Sequence, residues 1–129
     1  MEEFQKVSTK GFMHHNGGLL FREVSALEYQ FTTTIEDIHL NPGGTTHGGF
    51  IMTFLDSGMG NGAHRSSGSQ KRIATISLDV KFIAGSKAGA VLLGTARVLK
   101  KTRSLIFMQG EIRSGEKLIA TAQGIWKII

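Results

Sequence analysis

NPGGTTHGGFIMTFLDSGMGNGA, residues 41–63, is the stretch on which the reading of the fold turns. Asn41-Pro42-Gly43-Gly44 is a break, because proline and paired glycines suit a turn and neither a helix nor a strand interior. From about His47 to Ala63 the chain reads as a helix. At 100° per residue Asp56 shares a face with Gly49, Met52, Thr53, Met59, Gly60 and Ala63, while Phe50, Ile51 and Phe54 take the other side with Leu55 on the flank. The bulky side should press on a sheet. Glycines at 58, 60 and 62 each cost roughly 1 kcal/mol against alanine in a helix interior, so they mark a packing or access requirement, or fraying of the last turn.

Outward from this helix the periodicity changes. Leu27, Tyr29, Phe31, Thr33 and Ile35 alternate with polar residues, the period of a half-buried strand. After the helix, strands are expected over 73–83, 90–99, 105–112 and 117–128, with Arg113-Ser114-Gly115-Glu116 as a hairpin turn. Short connections predict antiparallel neighbours. The class is therefore α+β: one antiparallel sheet packed on one helix, in a single domain spanning 1–129 with residues 1–18 as a loose arm or short helix.

Composition sets limits. A chain of 129 residues can bury about two-thirds of its unfolded surface. The absence of cysteine excludes a disulfide scaffold, a thiolate zinc site and a cysteine nucleophile. The acidic start, Met1-Glu2-Glu3-Phe4, lacks the apolar core of a signal peptide, and no apolar run is long enough to span a bilayer, so a cytoplasmic protein with no membrane partner is expected. Charge is lopsided: residues 1–56 carry a net −4 and residues 57–129 a net +9. That field favours an anionic partner such as a phosphorylated ligand. No aromatic residues interleave with the basic ones as a base-stacking platform would need, so nucleic acid is not the expected partner.

The start of the helix carries the chemistry. Its first turn has unpaired N–H groups at the positive end of the dipole, and Gly48 or Gly49 would let a substrate carbonyl approach them. That is the geometry of an oxyanion hole, although the same glycines could simply serve a tight turn, with Asn41 satisfying its own backbone.

Asn41, the run His47-Gly48-Gly49 and Asp56, followed by Ala74–Phe82 and Val98–Leu105, resemble the hotdog-fold acyl-CoA thioesterases of the phenylacetyl-CoA (PaaI-like) type. The resemblance covers roughly 27–126 and implies a sheet wrapped around a central helix, in a homodimer or dimer of dimers with active sites between subunits. It implies hydrolysis of an acyl-CoA thioester with no cofactor and no metal. Asp56 would be general base or nucleophile, the Gly48 N–H the oxyanion donor, and Asn41 a group that polarises the carbonyl or places the water. Thr75, with Ser77 as fallback, would assist the water, and His47 would orient the loop. Gly49, Thr53 and Phe82 would line the substrate site, and Lys100, Lys101, Arg103 and Ser104 would grip the CoA nucleotide, whose phosphates suit Lys and Arg. Two departures stand out: Gly85 replaces the family's proline after the Phe82 strand, and the helix end is unusually rich in glycine.

Helix geometry bears on the dimer independently. Gly48 and Asp56 lie eight residues apart, about 12 Å along a straight helix, whereas attacking group and oxyanion donor must both reach one carbonyl. Two antiparallel helices related by a two-fold can pair Gly48 of one subunit with Asp56 of the other. Two other readings stay open: a hotdog hydratase-dehydratase, and a non-catalytic acyl-CoA or nucleic-acid binding module. The hydratase pattern sets its histidine two residues after proline, and here His47 follows Pro42 by five.

Overall fold

The computed structural model describes residues 1–68 and 70–129. Seven strands form one antiparallel sheet: β1 (Gln5–Lys6), β2 (Leu20–Ser25), β3 (Glu28–Thr34), β4 (Ile73–Phe82), β5 (Val91–Lys101), β6 (Leu105–Ser114) and β7 (Lys117–Ile128). Their order is β1-β2-β3-β5-β6-β7-β4. A one-turn helix α1 (Phe12–His15) sits in the N-terminal arm, and α2 (Gly48–Ser67) lies in the concave face of the sheet.

The alternation in β3 has the expected consequence, since Tyr29, Phe31 and Thr33 are buried and their neighbours are not. β2 is not foreseen from the sequence, because only Phe21 among its six residues is fully buried and no period of two develops. β4 also departs from expectation. It pairs with β7 and not with its successor β5, so the connection over 83–90 crosses from the sheet edge to its middle. Backbone bonds hold that connection in place, from the Thr46 N–H to the Ser86 carbonyl and from the Gly89 N–H to the Ile35 carbonyl, both 2.8 Å. The Gly115 turn between β6 and β7 forms as read, with φ at +60°.

α2 runs four residues past Ala63, and its glycines are interior rather than frayed. Any Cβ on Gly58 would overlap the ring of Phe31, and one on Gly62 would lie 2.9 Å from Tyr29. Phe31 is wholly buried, packs edge-on against Phe54 with centroids 4.9 Å apart, and covers Gly94 on the adjacent strand β5. The helix thus gives up about 1 kcal/mol per glycine in propensity and gains burial of aromatic rings that contribute some 2–3 kcal/mol each. Met59 and Ala63, assigned by the helical wheel to the Asp56 face, are completely buried. Over residues 49–64 the curled sheet covers about half the circumference of the helix, leaving open a stripe through Gly49, Met52, Thr53, Asp56, Ser57, Gly60, Asn61 and His64.

Replacing Gly58 with alanine is expected to destabilise the protein by roughly 2–3 kcal/mol despite the better helix former, because an overpacked methyl displaces the Phe31 ring. Urea unfolding checks this, and a midpoint at or above wild type contradicts it.

Candidate active site

Asp56 lies at the middle of the open stripe of α2, half-buried, and its Oδ1 accepts a hydrogen bond of 2.7 Å from the Thr75 hydroxyl. Thr75 reaches it because of a bulge. Thr75 pairs with Trp126 and Ser77 with Ile125, so Ile76 is an extra residue that switches the strand from one face to the other. Ser77 therefore shares the parity of Asp79 and Lys81, which line a groove on the outer side of the sheet. The structure brings Thr75 to Asp56 and leaves Ser77 facing away.

A cavity of about 440 Å³ opens over this pair. Its walls come from the helix stripe (Asp56, Gly60, Asn61, His64), from the strands (Ile73, Thr75, Trp126) and from the N-terminal arm, which adds apolar Val7, Phe12 and Met13 and polar Ser8, Lys10 and His14. The arm is anchored by Glu2, which bonds the Arg65 guanidinium at 3.0 Å; that bond holds its carboxyl below the usual carboxylate range. Sequence reasoning missed the arm, Asn61, His64 and Trp126 as lining residues. His64 could have been found from its helical spacing of eight to Asp56; Asn61 lies 140° round the helix from it, and the arm and Trp126 have no such signal, since their position depends on the chain folding back.

The helix start is built as a cap. His47 is the N-cap of α2, and its Nδ1 accepts the Gly49 N–H at 2.8 Å. A Cβ on Gly49 would lie 2.9 Å from that nitrogen, so Gly49 is glycine to let the ring fold over. The cap holds the His47 ring at the helix start. The His47 carbonyl takes the N–H groups of Phe50 and Ile51, and the Gly48 N–H, the first of the helix, has no partner among the described residues. Gly48 lines a second cavity of about 360 Å³ with Phe82, whose ring lies 3.4 Å from where a Gly48 Cβ would stand. Asp56 and Gly48 thus open into different cavities of one chain.

Asn41 closes its own loop. Its Oδ1 accepts the Thr45 N–H at 3.2 Å and its Nδ2 donates to the Thr45 hydroxyl at 3.0 Å. Thr53, on the open stripe, donates to the Gly49 carbonyl at 2.9 Å. The basic residues gather at the far end of α2. Lys101 Nζ donates to the Ser66 carbonyl at 2.6 Å, satisfying the negative end of the helix. Lys100 and Arg103 are exposed. The Ser104 carbonyl takes the Ile128 N–H and the Arg72 carbonyl the Ile129 N–H, which brings the separate Lys71-Arg72 and Lys100–Arg103 clusters to one edge.

Residues 43–120 match the family model described as the thioesterase superfamily. The chain belongs to that superfamily. The "Putative esterase PA0474" of Pseudomonas aeruginosa is 32% identical over 94 residues, covering 73% of this chain and 70% of the relative. Among solved structures, conserved protein PA5202 of Pseudomonas aeruginosa superposes with a TM-score of 0.82 at 25% identity, over 89% of this chain and 91% of that one. A phenylacetic acid degradation-related protein of Ralstonia eutropha does so with a TM-score of 0.81 at 26% identity, over 88% and 86%. The helix-filled sheet is the hotdog fold, and thioester hydrolysis is the reaction class of this superfamily member. The matched span contains the helix, Asp56 and Thr75.

Proposed function

We propose that this thioesterase-superfamily protein hydrolyses an acyl-CoA thioester at sites shared between two subunits. The hydrogen bond between Thr75 and Asp56 at the floor of a cavity carries the reading. Since Thr75 donates to Asp56, its oxygen lone pairs remain free to accept from a water molecule, which the second carboxylate oxygen can also hold. Water then attacks the carbonyl carbon while its proton passes to Asp56, and the carbonyl electrons move onto oxygen. That oxyanion is met by the free Gly48 N–H of the other subunit. Collapse of the intermediate breaks the carbon–sulfur bond, and the thiolate of CoA takes the proton back from Asp56. Attack by the carboxylate itself, through an anhydride that water later opens, uses the same residues. The second Nδ2 proton of Asn41 remains for the carbonyl or the water.

Two observations support the shared site. β4 is a sheet edge of ten residues with no strand on its outer side among the described residues, and Ile76, Phe82 and Ile83 on or beside it are each more than half exposed. The opposite edge, β1, is two residues long. An exposed apolar edge beside the open stripe of α2 is a surface that a two-fold partner would cover, with its helix antiparallel to this one. The hydratase reading loses support, because the His47 ring is committed to its cap.

CoA would lie with its phosphates on the Lys100 and Arg103 end. The double variant Lys100→Ala/Arg103→Ala, which spares the helix-capping Lys101, is expected to raise KM roughly tenfold with little change in kcat, since these contacts hold ground and transition states alike. Steady-state kinetics decide it, and a fall confined to kcat refutes the nucleotide grip.

A further inference from the structure

Trp126 is 1% exposed, and its Nε1 is the one buried side-chain nitrogen or oxygen among the described residues without a hydrogen-bond partner. It lines the same cavity as Asp56 and Thr75. On the sheet Trp126 stands directly across from Thr75, and its Nε1 edge turns toward Gly60, where a Cβ would come within 3.3 Å of it. Gly60 is one helical turn beyond Asp56. An indole N–H can only donate, so whatever completes it must bring an acceptor. The Thr75 oxygen keeps lone pairs after its proton goes to Asp56, yet Nε1 makes no bond to it.

We propose that Trp126 selects acyl groups that carry a hydroxyl or keto oxygen near the thioester. The inference rests on the thioesterase reading above for the position of the carbonyl. Val7, Phe12, Met13 and Ile73 give the cavity an apolar part that suits an acyl chain, whereas the CoA phosphates belong with the Lys100 and Arg103 end. Trp126 and Thr75 are paired across the strands, so the oxygen that reaches Nε1 is placed close to the thioester, on the third or fourth carbon of the chain counting the carbonyl as the first. Gly60 is then glycine because a methyl there would close the approach to the N–H.

The test compares butyryl-CoA with 3-hydroxybutyryl-CoA, and hexanoyl-CoA with 3-hydroxyhexanoyl-CoA, with the 129-residue chain. Wild type is expected to favour the hydroxylated member of each pair about tenfold in kcat/KM, the worth of one well-placed hydrogen bond. Trp126→Phe and Gly60→Ala should each bring that ratio close to one, and the second adds a better helix former. Trp126 is the only tryptophan of the chain, so its fluorescence reports the contact directly. In the Asp56→Asn variant, saturation with 3-hydroxybutyryl-CoA should shift its emission to the red, and butyryl-CoA should not. A wild-type ratio near one with no selective shift overturns the role of Trp126 while leaving thioester hydrolysis intact. A selective shift without turnover of any of these thioesters keeps the donor and rejects the hydrolysis.

Discussion

Asp56→Asn is expected to lower acyl-CoA turnover by about 10²–10⁴-fold, the range for loss of a positioned base or nucleophile. The fold should be unaffected. Asparagine has the shape of aspartate, and its carbonyl oxygen can still accept from the Thr75 hydroxyl at the 2.7 Å contact. Asp56 is only half-buried on the open stripe of α2, so no core packing is disturbed. Thiol release from an acyl-CoA panel measures the loss, and undiminished turnover removes Asp56 from the mechanism. Thr75→Val, equal in shape but without the hydroxyl, should cost less, because it removes the group that places the water and leaves the carboxylate. Single turnover in ¹⁸O-labelled water tests for the covalent route: label found in the Asp56 carboxylate shows that it attacked first and that water opened the anhydride at the Asp56 side chain.

Gly48→Pro is expected to lower kcat by about 10²–10³-fold, the typical cost of one missing oxyanion donor. The substitution isolates the N–H. Gly48 is the first residue of α2, where proline is well tolerated because that N–H has no partner inside the helix. His47 before it is extended, with φ −62° and ψ 133°, the conformation a following proline prefers. A carbon added at Gly48 meets the Phe82 ring at 3.4 Å, an ordinary contact. Thermal stability should stay level or rise while activity falls; full activity would show that no carbonyl oxygen uses this group. Mixing the two dead variants tests the sharing of sites. A hybrid dimer of Asp56→Asn and Gly48→Pro subunits holds one site with both defects and one with neither, so a statistical mixture should regain about a quarter of wild-type activity. If each chain carries its own complete site, the mixture regains nothing.

How much of this was legible in advance differs by element. Strand β3 and the 113–116 turn follow from local patterns: alternation of apolar side chains, and a glycine able to take positive φ. The pairing of Asp56 with Thr75 could be anticipated only as a resemblance, because its geometry depends on a bulge at Ile76 that no local pattern announces. Ser77, the fallback to Thr75, would share its face in a regular strand, and that one extra residue turned it to the other. The edge position of β4 was equally hidden, since connection length says how far the chain can travel and not which strand it rejoins.

The helix makes the division plain. Its start at the glycine pair, its apolar side and the isolation of its carboxylate are properties of the residues themselves, set by backbone freedom and by a repeat of 3.6. What Gly58, Gly60 and Gly62 are for was decided by the neighbours that tertiary folding delivered: Phe31, Trp126 and Tyr29, which come from strands far away in the chain. The same holds for Nε1 of Trp126, a donor made solitary by what surrounds it. Local preferences act over a few residues and can be read along the chain. Burial, partners and cavities are sums over contacts between distant segments, and these exist only once the sheet has curled around the helix.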